Sequence, residues 1–198
     1  MCFSQCGKYF SISTKENGLF LWLFDDFILN KPEYRKWSIS PKNQEMWWAQ
    51  FTPLSTVMIF VTATNDIYSY HISSKRSKFI FHSEKEITSL RLNHKLPFKI
   101  ISTMNHSSYF YVFMNSEKTD ALFSQKIKID LGKDQRIVDA NWNSDESLIV
   151  VLTRNSGIYA WNSGSLTLTY HIDNSNYLRN CRRLSISPVL PYIVFTSN

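Results

Sequence analysis

The sequence predicts an all-β fold made from one small repeated unit, and three observations predict it. A pattern of short strand, turn, fully apolar strand, turn and aromatic-ended strand recurs four times and then begins a fifth time. The copies, anchored at Phe3, Phe51, Leu92, Trp142 and Ile186, follow one another at intervals of 41 to 50 residues. No segment carries a helical period over about ten residues or more, so strands must account for the chain. Self-similarity at a fixed interval has to be read as one architecture, and a period of about 40–50 residues is that of a four-stranded propeller blade. The expected fold is a β-propeller with about four complete four-stranded repeats plus a half blade.

Each element has its own justification. Copy one runs from Phe3-Ser4 through Tyr9-Phe10-Ser11-Ile12-Ser13 to Leu19-Phe20-Leu21-Trp22. Copy two runs from Phe51-Thr52-Pro53 through Val57–Thr62 to Ile67-Tyr68-Ser69-Tyr70. Copy three runs from Leu92-Asn93-His94 through Phe98–Thr103 to Tyr109-Phe110-Tyr111-Val112, and copy four from Trp142-Asn143-Ser144 through Leu148–Thr153 to Ile158-Tyr159-Ala160-Trp161. Copy five offers Ile186-Ser187-Pro188 and Tyr192–Thr196. The second strands, such as Leu148–Leu152 and Val57–Val61, are apolar on both faces and must be covered on both. The third strands alternate, and Asn17-Gly18, Asn65-Asp66 and Ser156-Gly157 before them supply hairpin chemistry. Fourth strands are visible at Phe79–His82 and Leu166–Tyr170.

On these residues the chain resembles the WD-repeat (WD40-like) family. The resemblance spans Phe3 to Asn198 and is best in copies one and four. Phe3-Ser4-Gln5-Cys6-Gly7 and Ile186-Ser187-Pro188 are similar to the family's Phe-Ser-Pro-Asp-Gly opening, and Trp22 and Trp161 to its closing Trp. The departures are specific. Leu23 or Asn162 follows the Trp in place of Asp, Tyr70 and Val112 stand where Trp is expected in copies two and three, and no Gly-His pair precedes a blade. The resemblance therefore implies a diverged propeller, held by apolar and aromatic packing rather than by the family's Asp-His-Ser-Trp hydrogen bonds. It further implies a non-catalytic protein-protein interaction scaffold within a larger complex.

The half blade at Ile186–Thr196 is read as a sign that the propeller belongs to a longer protein, or that a partner donates the missing strands. An open half blade exposes backbone groups that invite strand addition. The domain expectation is one propeller domain over residues 1–198, with an inter-blade insertion at residues 29–45. That insertion is polar and basic, contains Pro32 and Pro41, and reads as a variable contact loop.

Composition bounds the rest. Hydrophobic residues at 43% are enough for a sizeable core, and 15% aromatic content suits blades whose rings fill the space between sheets. Cys2, Cys6 and Cys181 lack metal spacing and an even-numbered framework, so they read as reduced thiols of an intracellular protein, cytoplasmic or nuclear. No signal peptide is read, and no apolar run approaches the ~18 residues of a membrane span. The Asn105-His106-Ser107 sequon reads as chance.

The net charge of +6 comes from small clusters: Lys31–Lys36, Lys75-Arg76-Ser77-Lys78, Lys126 with Lys128, and Arg179 with Arg182 and Arg183. Solvated loops are the ordinary explanation. The functional one is a surface for an acidic partner or nucleic acid, with Lys75, Arg76, Lys78, Arg182 and Arg183 as candidate contacts. Trp47 and Trp48 are further candidates, because neighbours on a strand face opposite ways and one of the two can lie outside the core. Trp22, Tyr70 and Trp161 are expected to be structural, closing each blade. There is no phosphate-binding glycine loop, no metal spacing and no nucleophile elbow. His71 and His171 share a Tyr-His-Ile context but fall after a third and a fourth strand respectively, and Asp25, Asp26 and Asp173 read as turn residues. The expectation is no enzyme activity, no cofactor and no metal. Other protein subunits or a strand donor are the expected partners, with nucleic acid as the alternative.

Overall fold

The fully apolar segments of the sequence form the second strands of small antiparallel sheets in a computed structural model. The structure describes residues 2–14, 18–24, 37–38, 45–95, 98–114, 125–133, 135–155, 157–172, 178, 181–187 and 192–197. Eighteen strands lie among the described residues. The first sheet holds β1 (Cys2–Phe3), β2 (Tyr9–Thr14), β3 (Gly18–Leu23) and β4 (Trp37–Ser38), and the second β5 (Met46–Phe51), β6 (Val57–Thr62), β7 (Asp66–His71) and β8 (Arg76–His82). The third holds β9 (Ile87–Leu92), β10 (Lys99–Met104), β11 (Tyr109–Met114) and β12 (Gln125–Asp130), and the fourth β13 (Ile137–Trp142), β14 (Leu148–Thr153), β15 (Ile158–Asn162) and β16 (Leu168–Ile172). A fifth sheet has only β17 (Cys181–Ile186) and β18 (Ile193–Ser197). In every sheet the strands are antiparallel and neighbour one another in chain order.

The register shows that these are copies of one unit. The five anchors pair Phe3 with Phe10, Phe51 with Met58, Leu92 with Ile100, Trp142 with Ile149 and Ile186 with Ile193. Across the next ladder the partners are Phe10 with Trp22, Met58 with Tyr70, Ile100 with Phe113 and Ile149 with Trp161. Phe113, not Val112, thus takes the closing aromatic place in the third copy. Its turns contain two more residues than those of the other copies, which moves the match along the chain.

The residue after each anchor is small and polar because it closes the first turn. The backbone N–H groups of Ser4, Thr52, Asn93, Asn143 and Ser187 bond to the carbonyls of Tyr9, Val57, Lys99, Leu148 and Tyr192 at 2.8–3.1 Å. In the first four copies the side-chain oxygen also accepts the N–H of that same distant residue, at 2.9, 3.4, 2.6 and 2.8 Å. Ser, Thr and Asn suit this position because their short side chains reach their own turn.

The chain divides into two compact units, Met1–Glu84 and Lys85–Asn198. In the first, Leu19, Leu21, Met46, Phe51, Met58, Phe60 and Tyr70 form one buried cluster between the first and second sheets. In the second, Ile101, Phe110, Ile149, Tyr159 and Trp161 belong to a cluster between the third and fourth sheets. Val150, Leu152 and Leu184 join the fourth sheet to the fifth. β6 is buried at every position, as an apolar strand covered on both faces must be. Trp161 stacks on Tyr159 with centroids 5.9 Å apart and meets Phe110 edge-on at 5.4 Å.

Several sequence expectations change here. Arg76 and Lys78 stand on β8 rather than in a loop, because that strand starts three residues before Phe79. β16 begins at Leu168, since Leu166 occupies a turn with φ of 56°. Within residues 29–45, Trp37–Ser38 pairs with β3 as a fourth strand. Residues 29–36 and 39–44 lie outside the described residues, as do Asp25, Asp26, Asp173, Arg179 and the Lys31–Lys36 cluster.

Candidate functional site

The repeat register decides where each candidate residue goes. A β-bulge recurs in the first strand of four sheets, between Met46 and Trp48, Ile87 and Ser89, Ile137 and Asp139, and Cys181 and Arg183. Trp47, Thr88, Val138 and Arg182 are the extra residues. Bulges bend a strand and re-aim side chains, so strict alternation does not govern Trp47 and Trp48. Trp48 is half-buried on β5, in the place taken by Asp139 in the fourth sheet and Arg183 in the fifth.

In the first unit, Lys75, Arg76 and Lys78 gather at the exposed start of β8, with Lys75 in a turn at φ 54°. Phe79 beside them is 51% exposed and meets Tyr68 edge-on at 5.5 Å. Tyr70 is buried, and desolvation pushes its phenol pKa up, so it remains neutral at the core. Trp22 occupies its expected register place opposite Phe10.

In the second unit, Lys126 and Lys128 lie over the rings of Tyr111 and Tyr109 at 5.0 and 4.0 Å, so these cations belong to a sheet face. His171 stacks on Tyr159 at 5.9 Å. Two cavities open on opposite turns of these repeats.

The smaller cavity, about 390 Å³, lies at the first turns, among them Lys95, Trp142, Glu146 and Ser187. Glu146 dominates it. One carboxylate oxygen accepts the His94 N–H and contacts His94 Nδ1 at 3.0 Å, and the other accepts the Lys95 N–H at 2.8 Å. The ammonium of Lys95 donates to the Asp145 carbonyl, and that of Lys99 to the Ser163 carbonyl at 2.6 Å. Desolvation lowers the Lys99 pKa, and the Glu146 charge opposes that shift. The donors and acceptors here are spent on joining the third and fourth sheets.

The larger cavity, about 560 Å³, lies at the second turns and the starts of the first strands. Arg136, Arg154 and Arg182 line it together with His106 and Asn105, over Ile137. Arg136 precedes β13, Arg154 follows β14 and Arg182 is the bulge residue of β17. The Arg154 N–H donates to the Arg136 carbonyl at 2.7 Å, which fixes those two segments side by side. Of the residues singled out by sequence, Arg182 reaches this cavity, and Arg183 is exposed on β17 without lining it. Arg136 and Arg154 went unrecognised because they stand alone in the sequence.

Among the described residues no group of three or more His, Cys, Asp or Glu side chains could hold a metal ion, and no helix is long and apolar enough to cross a membrane.

No family model matches the sequence, and no curated protein matches it. The structure is similar to a chain in the crystal structure of a mitotic checkpoint complex, with a TM-score of 0.67 at 10% identity. The match covers 99% of this chain and 55% of that one, so this chain spans about half the length of the chain it matches. The shared feature is the fold, an all-β arrangement of repeated small antiparallel sheets.

Proposed function

We propose that this protein is a non-catalytic, WD-repeat-like propeller subunit that joins other proteins within a larger intracellular assembly. The observation that carries the reading is the serial repeat itself. Within each unit, successive register-matched sheets bury their second strands against one another, and many of the described turn residues are exposed. Repeats of this kind present many short loops on a rigid base, a geometry suited to holding partners. A fold likeness to a chain from a multiprotein complex supports the same reading by analogy alone. The free state of Cys2, Cys6 and Cys181 suits a reducing compartment.

The test is the native mass of the endogenous protein in cell extract, read by size exclusion with quantitative mass spectrometry across the fractions. Co-elution with other subunits in fixed ratio, well above 23.3 kDa, is expected. Elution as a lone chain would overturn the reading.

A further inference from the structure

We propose that the arginine-lined cavity of the second unit is a binding site for an acidic peptide segment of a partner protein. This rests on the interaction reading above and names the chemistry of the partner. Three arginines from two successive repeats, Arg136 and Arg154 of the fourth and Arg182 of the fifth, line one concavity of about 560 Å³. Among the described residues no acidic side chain lines it. Bringing three permanent cations together is unfavourable unless an anion joins them. None of the three makes an ion pair or side-chain hydrogen bond with another described residue, whereas Arg91 of the same unit lies 3.7 Å from the Asp139 carboxylate. The nearby carboxylate of Glu86 is already held by Asn105 Nδ2 at 2.9 Å.

The cavity also selects the type of anion. Its floor is apolar, with Ile137 buried and Val138 and Cys181 half-buried. A carboxylate side chain flanked by aliphatic neighbours matches both parts: the carboxylates take paired N–H donors from the guanidinium forks, and the neighbours cover the floor. A nucleic-acid strand needs cations strung along its path with stacking surfaces between them. These arginines instead line a single cavity, and no aromatic ring lines it among the described residues.

The probe is a fluorescein-labelled ten-residue peptide with four Asp or Glu residues set among leucines, followed by fluorescence polarisation with the full chain. Saturable binding is expected, weakening as salt rises. The double variant Arg154→Ala/Arg182→Ala should weaken it by about tenfold or more, the loss expected from removing charge-assisted hydrogen bonds. Both residues are exposed, and an unchanged circular dichroism spectrum verifies the fold of the variant. An Asn/Gln version of the peptide should not bind. Three results would each overturn the proposal: no saturable binding up to about 1 mM, equal binding by the double variant, or tighter arginine-dependent binding of a single-stranded oligonucleotide. The double variant is also taken through the native-mass experiment. An intact assembly with peptide binding absent would refute this site and leave the interaction reading standing, whereas a lone wild-type chain would refute the latter.

Discussion

The two units solve the same joining problem with different chemistry. In each, the fourth residue after the anchor has a positive φ in the first turn, as at Ser55 (56°) and Glu146 (61°), and its side chain takes a backbone N–H from the turn of the preceding sheet. In the first unit this is a single neutral bond, from the Cys6 N–H to Ser55 Oγ at 3.2 Å. In the second it is a carboxylate clamp on two N–H groups, with His94 beside it. The second unit adds another charged joint. The buried Asp139 carboxylate accepts the Leu184 N–H at 3.1 Å, linking the fourth sheet to the fifth, and lies near Arg91 of the third. The register place of Asp139 is held in the first unit by Trp48. The lesson is that a left-handed position usually given to glycine, as at Gly7 (φ 72°), is kept for a side chain where that side chain ties one repeat to the next.

The largest effect that would sharpen this contrast is expected at Asp139. Asp139→Ala leaves the buried Leu184 N–H without an acceptor and should cost about 2–3 kcal/mol. Hydrogen exchange should show β17 and β18 losing protection first, and unchanged protection there would mean that the joint is not structural. Next come glycine substitutions at the two linking residues. Ser55→Gly exchanges one neutral hydrogen bond for relief of a strained φ, each of about 1 kcal/mol, so stability should stay within about 0.5 kcal/mol. Glu146→Gly removes two bonds to a carboxylate that is 8% exposed, and should cost about 1–3 kcal/mol despite the same relief. Equal denaturation midpoints for the two variants would erase the distinction between the units.

The smallest effect concerns Asp130 at the exposed end of β12. Its carboxyl is held below the ordinary range chiefly by the Gly132 N–H at 3.0 Å, with help from the Ser108 hydroxyl and Lys128. A carboxyl depressed in the folded state adds stability above the unfolded value, and that contribution fades as pH falls through the folded one. An NMR titration should place the Asp130 midpoint below that of an unstructured aspartate, and Ser108→Ala should raise it. A midpoint unmoved by that substitution would remove the hydroxyl from the account.

Legibility differed by element for physical reasons. Val57–Thr62 was readable because burial on both faces demands apolar residues throughout, and the strand coincides with β6. β12 was unreadable because Gln125-Lys126-Ile127-Lys128-Ile129-Asp130 is largely exposed and resembles a charged loop. β4, two residues long, carries too little pattern to see. Arg182 could be singled out beside Arg183, but its partners Arg136 and Arg154 could not, since a cavity wall gathers residues that lie 18 and 28 positions apart in the chain.

By itself the sequence determined the repeated strand–turn–strand unit, its anchors and its buried second strands. Those depend on hydrophobic period and turn chemistry, which act over a few neighbouring residues. Tertiary structure alone decided the true register of the third copy, the recurring bulge that takes Arg182 out of strict alternation, and the placement of three arginines along one cavity. Each of these depends on how one strand slides against another, and a one-residue shift in pairing is invisible until the partner strand is in place.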